Sequence, residues 1–214
     1  MEVVEMLGWS AMVVTLCFFL TGIPLCRHMW STSDTTTFPI ITFLLTVVNT
    51  FFMADYGYRQ GDNIIFWLNF CGVFLHIGYV SLFCFMEIRR NEFEAAIRFL
   101  LIGAITVTVY AYLHGVVDDQ AQVTNIVGLI GSSVVAVLQM IPLMGAVQAW
   151  RSGLRLNADM LFTAMGLITA MLWTTYGLML SDIYILAPSC PGVIGGVLSI
   201  SMLLTQGEQR AKAE

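Results

Sequence analysis

Seven long apolar runs fill this chain almost end to end, and nothing else limits its fold so severely. They lie at about 7–26, 38–58, 63–86, 95–114, 123–147, 158–179 and 183–205. A helix needs about 20 mainly apolar residues to cross about 30 Å of hydrocarbon, so each run predicts a membrane span. The connectors hold most of the polar residues: CRHMWSTSDTTT, YRQGDN, EIRRNEFEAAIR, HGVVDDQAQ, WRSGLRLNAD and LSD. None has room for a folded soluble domain. Composition agrees, because only 11% of the 214 residues are charged and 58% are hydrophobic. A soluble domain averages about 25% charged residues, so lipid is the solvent for most of this surface.

The basic residues predict an orientation. Arg27, Arg89, Arg90, Arg98, Arg151, Arg155, Arg210 and Lys212 fall on one side by span count, and only Arg59 falls on the other. This is a strong positive-inside pattern. It places the N-terminus outside or in a lumen and the C-terminus in the cytoplasm, which requires an odd number of spans. The segment MEVVEM has two Glu, no Lys or Arg, and no small-residue cleavage site after it. The first run therefore reads as a retained span and not as a signal peptide. The five cysteines, Cys17, Cys26, Cys71, Cys84 and Cys190, lie in or beside apolar runs without CxxC spacing. They read as small buried hydrophobes.

Two passages repeat. YGYRQGDNIIFWLNFCG (Tyr56 to Gly72) and YGLMLSDIYILAPSCPG (Tyr176 to Gly192) share Tyr-Gly, an Asp five residues after that Gly, and a closing Gly. Upstream, Ile23-Pro24-Leu25 matches Ile141-Pro142-Leu143 and Trp30 matches Trp150. Spans one to three thus overlay spans five to seven. Three spans are an odd number, so adjacent copies would be inverted; the fourth span restores a common orientation. The predicted fold is an all-α integral membrane protein with seven transmembrane helices. It has two parallel three-helix bundles joined by an inversion linker helix, a 3+1+3 plan. The expected divisions are 1–90 for the first bundle, 91–120 for the linker, 121–207 for the second bundle and 208–214 for a cytoplasmic tail.

With these features the chain resembles the SWEET family of sugar transporters, and its animal members most. Parallel repeats about an axis along the membrane normal, with a substrate site near the midplane, are the arrangement this resemblance implies. Its carriers are Pro24 and Pro142, the two Tyr-Gly pairs, Asp62 and Asp182, Asn69, and the TxxLWTTYG around Trp173, over about residues 8 to 205. The resemblance implies a facilitative, uncoupled carrier of mono- or disaccharides, glucose first, working by alternating access in the plasma membrane or Golgi. It implies substrate contacts at Asn69, Trp173, Ser189 and Met53. Ser189 stands where the family usually has Asn. It also implies proline hinges in four spans. Pro24 and Pro142 fit. The span-two position is Thr42 with Pro39 one turn earlier, and the span-six position is Asp159.

The residues suit that chemistry. A sugar offers hydroxyls and apolar C–H faces. Asn69 can donate and accept, Ser189 can do either, and Trp173 offers a flat face and an indole N–H. Asn69, Gly72, His76 and Tyr79 share one helical face, matched by Ser189, Gly192, Gly196 and Ser199. The glycines also read as helix-packing surfaces. His76 is expected to hydrogen-bond at the site, with a proton relay as its other reading. Asp55 is expected to pair with Arg59 four residues on, because an Asp inside a span costs about 2.5–3.5 kcal/mol. Asp62 and Asp182 read as N-caps. No catalytic triad, metal-ligand spacing or phosphate loop is present, so no enzyme activity, metal or cofactor is expected. The expected partners are a small-molecule sugar and membrane lipid, with a homo-oligomer compatible and no nucleic acid. Two other classes remain open: a proton-coupled PQ-loop-type exporter, which would need His76 or Asp55, and a seven-span receptor. The chain lacks the receptor signatures Asp-Arg-Tyr and Asn-Pro-x-x-Tyr, and its only lysine, Lys212, is outside the spans.

Overall fold

The computed structural model describes residues 2–36, 38–153, 155–156 and 158–211. All regular structure among them is helical: α1 (Glu2–Leu20), α2 (Gly22–Thr32), α3 (Ile40–Gln60), α4 (Asn63–Ile88), α5 (Glu94–Val116), α6 (Gln120–Ser152), α7 (Met160–Leu180) and α8 (Ile183–Ala211). Seven helical stretches are long and apolar enough to cross a membrane, with α1 and α2 together forming the first. Five contain their predicted runs whole, and Ile40–Gln60 and Met160–Leu180 begin two residues inside theirs. Residues 208–211 continue α8; Lys212 and the rest of the expected tail lie outside the described residues.

The first span is interrupted at Thr21, and the proline explains where. Pro24 has no N–H for the carbonyl of Leu20, and its ring crowds that carbonyl. Two neighbours hold the break. The Tyr79 hydroxyl donates to the Phe19 carbonyl oxygen at 3.2 Å. Gly22 lies flat on the Tyr79 ring, where an added Cβ would be 2.5 Å from Cε2. Pro142 has the same covalent defect, yet α6 runs on through it to Ser152. The residues matched to Gly22 and Tyr79 are Met140 and Ser199. They supply neither the notch nor the hydroxyl-bearing ring. Pro39 stands at the N-cap of α3, at the helix entrance and not within it.

The repeated passages form the same turn twice. After α3, Gly61 adopts the left-handed conformation (φ 69°), and Asp62 N–H donates to Gly57 O at 2.9 Å. After α7, Ser181 adopts it (φ 54°), and Asp182 N–H donates to Gly177 O at 2.9 Å. These bonds satisfy carbonyls that a helix end leaves open. The Asp carboxylates then cap the next helices. Asp62 accepts from Ile64 N at 2.9 Å and Ile65 N at 3.0 Å, and Asp182 from Tyr184 N at 2.8 Å. The Gly of each Tyr-Gly is required by space. A Cβ on Gly57 would be 2.6 Å from Phe66 N, and one on Gly177 would be 2.7 Å from Leu186 N. Asp159 is also an N-cap, accepting from Phe162 N at 2.8 Å.

The chain packs as two units. The central unit is Phe19–Val134, and the terminal unit is Met1–Phe18 with Val135–Glu214. In the central unit α3 lies along α4, and α2 and α5 also touch α4. Its core includes Met29, Leu44, Val80, Phe83 and Cys84. In the terminal unit α7 lies along α8. Small residues there allow close helix contact, as packing in membranes favours. A Cβ on Gly195 would meet Leu143 at 3.0 Å, and one on Gly196 would meet Leu167 at 2.8 Å.

Candidate functional site

In the central unit, the Asp62 cap fixes the start of α4, and Asn69 follows two turns later. Asn69 is buried, and its amide donates to Ile65 O at 2.8 Å. This leaves its carbonyl oxygen and one N–H for another partner. The rest of that face is enclosed by protein. Gly72 packs on Phe19 and Thr50. His76 is buried, edge-on to Phe19 at 4.7 Å, with Phe43 and Tyr79 as its other ring neighbours. His76 Nδ1 lies 2.8 Å from Gly72 O. A carbonyl only accepts, so Nδ1 carries the proton and Nε2 is left as an acceptor in the neutral ring. Met53 is buried on α3, with its sulfur against Gly131 of α6. Asn49, one turn before it, donates to Gly131 O at 3.0 Å.

The terminal unit repeats part of this chemistry. Ser189 stands on α8 where Asn69 stands on α4, and its hydroxyl donates to Ile185 O at 2.9 Å. Both groups thus spend one donor on the preceding turn of their own helix. Asn69 keeps a second donor, whereas Ser189 has only lone pairs left. Trp173 on α7 is half-buried, edge-on to Tyr176 at 5.6 Å. Its indole N–H is engaged, donating to Thr15 Oγ1 of α1 at 2.8 Å. Gly192 is packed, with Gln139 and Ala170 where its Cβ would be.

Asp55 and Arg59 form the expected pair, with Arg59 Nε 3.1 Å from Asp55 Oδ2. The pair has further partners. His114 Nε2 lies 3.0 Å from Asp55 Oδ2, and Arg59 donates from Nη1 to Gln120 Oε1 at 2.9 Å. Arg59 Nη2 lies 2.9 Å from His114 Nδ1. One tautomer satisfies all of these contacts. His114 donates from Nε2 to Asp55 and accepts at Nδ1 from Arg59. This network ties α3 to α5 and to the start of α6. Sequence spacing shows only the first pair; His114 and Gln120 are 55 and 61 residues from Arg59. Thr15 and Asn49 were also missed as partners, because a single polar residue in an apolar run gives no sign of what it meets.

Among the described residues, no group of three or more His, Cys, Asp or Glu side chains could hold a metal ion. None of the cysteines is bridged.

Comparison with known proteins gives the family. The model of the family described as "Sugar efflux transporter for intercellular exchange" matches residues 5–91 and 125–209. The chain belongs to that family. Each matched stretch contains one copy of the repeated passage, and the gap between them holds all of α5. Several animal proteins named Sugar transporter SWEET1 are similar over nearly the whole length. The Danio rerio protein is 24% identical over 200 residues, covering 92% of this chain and 90% of its own. The Xenopus laevis protein is 26% identical over 198 residues, covering 91% and 89%. The human protein is 25% identical over 189 residues, covering 86% and 83%. A solved eukaryotic SWEET transporter shares the fold, with a TM-score of 0.84 at 18% identity, over 96% of this chain and 97% of that one. This SWEET-family chain is therefore an all-α, multi-pass integral membrane protein of a transporter family, and not an enzyme.

Proposed function

We propose that this SWEET-family chain carries sugar, glucose first, as a uniporter working by alternating access. The observation that carries the reading is the matched chemistry of Asn69 and Ser189. Two polar groups at equivalent places in the two repeats each bond the preceding turn and keep capacity for one further partner. Trp173 adds an aromatic surface suited to the C–H face of a pyranose. Asn69, Trp173, Ser189, Met53 and His76 are the proposed sugar contacts. Pro24, Pro142 and Pro39 are the proposed hinges, with Pro39 at the entrance of α3. The proposed units of motion are the two triple-helix repeats, 1–90 and 121–207. The arginine distribution supports an N-terminus outside or in a lumen and a C-terminus in the cytoplasm. The membrane is proposed to be the plasma membrane, the Golgi membrane or both.

A carrier must release what it binds, and millimolar affinity corresponds to about −4 kcal/mol. A few hydrogen bonds and one stacking face suffice. Asp55 is engaged by both Arg59 and His114, which weighs against its serving as a proton carrier. The test is uptake of labelled glucose into liposomes containing the purified chain, with and without a pH gradient. Saturable uptake indifferent to the gradient and lost in Trp173→Ala and Asn69→Ala is the expected result. Accumulation driven by the gradient would refute uniport, and absence of saturable uptake would refute glucose as substrate.

A further inference from the structure

We propose that Thr15 is a positioning residue for Trp173, and that it sets the hydrogen-bonding character of the surface Trp173 presents to sugar. The proposal rests on the reading of Trp173 as the sugar platform.

An indole N–H inside a membrane span needs an acceptor. Trp173 has one in Thr15 Oγ1, at 2.8 Å, 158 residues away in sequence. Thr15 is itself fixed. It is buried in α1, and its hydroxyl donates to Ala11 O at 2.7 Å. That bond decides the direction of the hydroxyl proton, so an oxygen lone pair is left for the indole. The order Trp173 N–H to Thr15 O–H to Ala11 O=C is therefore the one arrangement in which both protons have acceptors. The ring is held at its nitrogen edge, and Tyr176 lies against it edge-on at 84°.

Two consequences follow for substrate. The ring cannot rotate to offer its N–H without breaking the Thr15 bond, so Trp173 meets sugar through its face. The hydroxyl proton of Ser189 is also spent, on Ile185 O. The two groups proposed to meet sugar from the terminal unit thus present a π face and lone pairs, and neither donates. A sugar hydroxyl that meets Ser189 has to be the donor. Asn69, proposed as a sugar contact in the central unit, keeps a second amide N–H that can donate.

The experiment is glucose transport by the reconstituted full chain as Thr15→Val, Thr15→Ser, Trp173→Phe and the double variant Thr15→Val/Trp173→Phe. Valine keeps the shape and removes the acceptor; serine keeps the acceptor. Losing one neutral hydrogen bond corresponds to about a fivefold effect. Thr15→Val is expected to raise KM about fivefold with little change in maximal rate, and Thr15→Ser to restore it. In the Trp173→Phe background, Thr15→Val is expected to add nothing, because no N–H remains to be held. Ultraviolet resonance Raman, as the wild-type minus Trp173→Phe difference, is expected to show a hydrogen-bonded indole N–H that becomes free in Thr15→Val. A wild-type KM in Thr15→Val, equal defects in the Val and Ser variants, or an undiminished effect in the Phe background would each overturn the proposal. Failure of the underlying reading looks different. Trp173→Ala would then transport with the wild-type KM, whatever Thr15 does.

Discussion

Replacing Gly57 by alanine tests the duplicated turn most directly. The added Cβ would be 2.6 Å from the backbone nitrogen of Phe66 and 3.0 Å from the carbonyl carbon of Ile65. Relief to an ordinary contact of 3.4 Å requires a movement of about 0.8 Å (3.4 minus 2.6) between α3 and the start of α4. Backbone atoms cannot swing aside as a side chain can. The movement would stretch the Asp62 N–H to Gly57 O bond, now 2.9 Å, past useful length. Overpacking costs about 1–3 kcal/mol and the lost bond about 1 kcal/mol, so the expected loss is about 2–4 kcal/mol. Gly61, four residues on, is the control. It has φ 69° and nothing within 4 Å of an added Cβ. Its replacement by alanine carries only the left-handed backbone cost of about 1–2 kcal/mol. The assay is the unfolding midpoint of the purified chain in detergent for Gly57→Ala, Gly61→Ala and Gly177→Ala. The first and third should fall well below the second. A Gly61→Ala variant at least as unstable as Gly57→Ala would refute the steric account of the Tyr-Gly motif.

Other outcomes follow from the same geometry. Ser181→Gly should raise the unfolding midpoint by the equivalent of about 0.5–1 kcal/mol, because it removes the left-handed penalty at Ser181. Arg59→Gln should cost about 3 kcal/mol by leaving the Asp55 carboxylate without its counter-charge, and adding Asp55→Asn should recover most of the loss in the same melt. Tyr79→Phe should leave the Phe19 carbonyl without the hydroxyl at the break in the first span. Faster amide exchange of Thr21, Gly22 and Ile23 than in wild type is the expected signature. The Thr36 backbone N–H and hydroxyl hydrogen-bond Asp34, with Arg90 and His28 nearby, and hold its carboxyl below the usual carboxylate range. A lowered carboxylate pKa favours the folded turn above the ordinary value and loses that contribution as pH falls through the lowered one. Amide protection at Thr36 should therefore drop on acidification, and Asp34→Asn should remove the dependence.

What could be read from the sequence was local. Seven spans were legible because run length is a direct physical requirement of the bilayer. The Asp62 and Asp182 caps were legible because a cap precedes its helix by a fixed step, and the Asp55–Arg59 pair because four residues make one helical turn. The same logic would have identified Asp159 as a cap rather than a misplaced hinge position. Helical periodicity placed Asn69, Gly72, His76 and Tyr79 on one face, but it could not say what that face meets. In the structure Phe19, Phe43 and Thr50 cover much of it. Proline content did not say which span would break. Pro24 and Pro142 are equal as residues, and the difference lies in a glycine and a tyrosine 57 positions apart that only packing brings together. Thr15 with Trp173, and His114 with Arg59, were invisible for the same reason.

The Asp55–Arg59 pair also bears on how the protein is made. A membrane protein enters the bilayer span by span as it is synthesised. A partner four residues away exists as soon as its helix does, while His114 and Gln120 arrive only after two more spans. The third helix can therefore enter lipid with its two charges already matched, and it need not wait for the rest of the chain. His114 and Gln120 then convert a pair that eases insertion into a tie that registers α5 and α6 against α3. One carboxylate and one guanidinium thus serve two stages of the protein's life, first as a self-contained passenger and later as a mooring for the helices that follow.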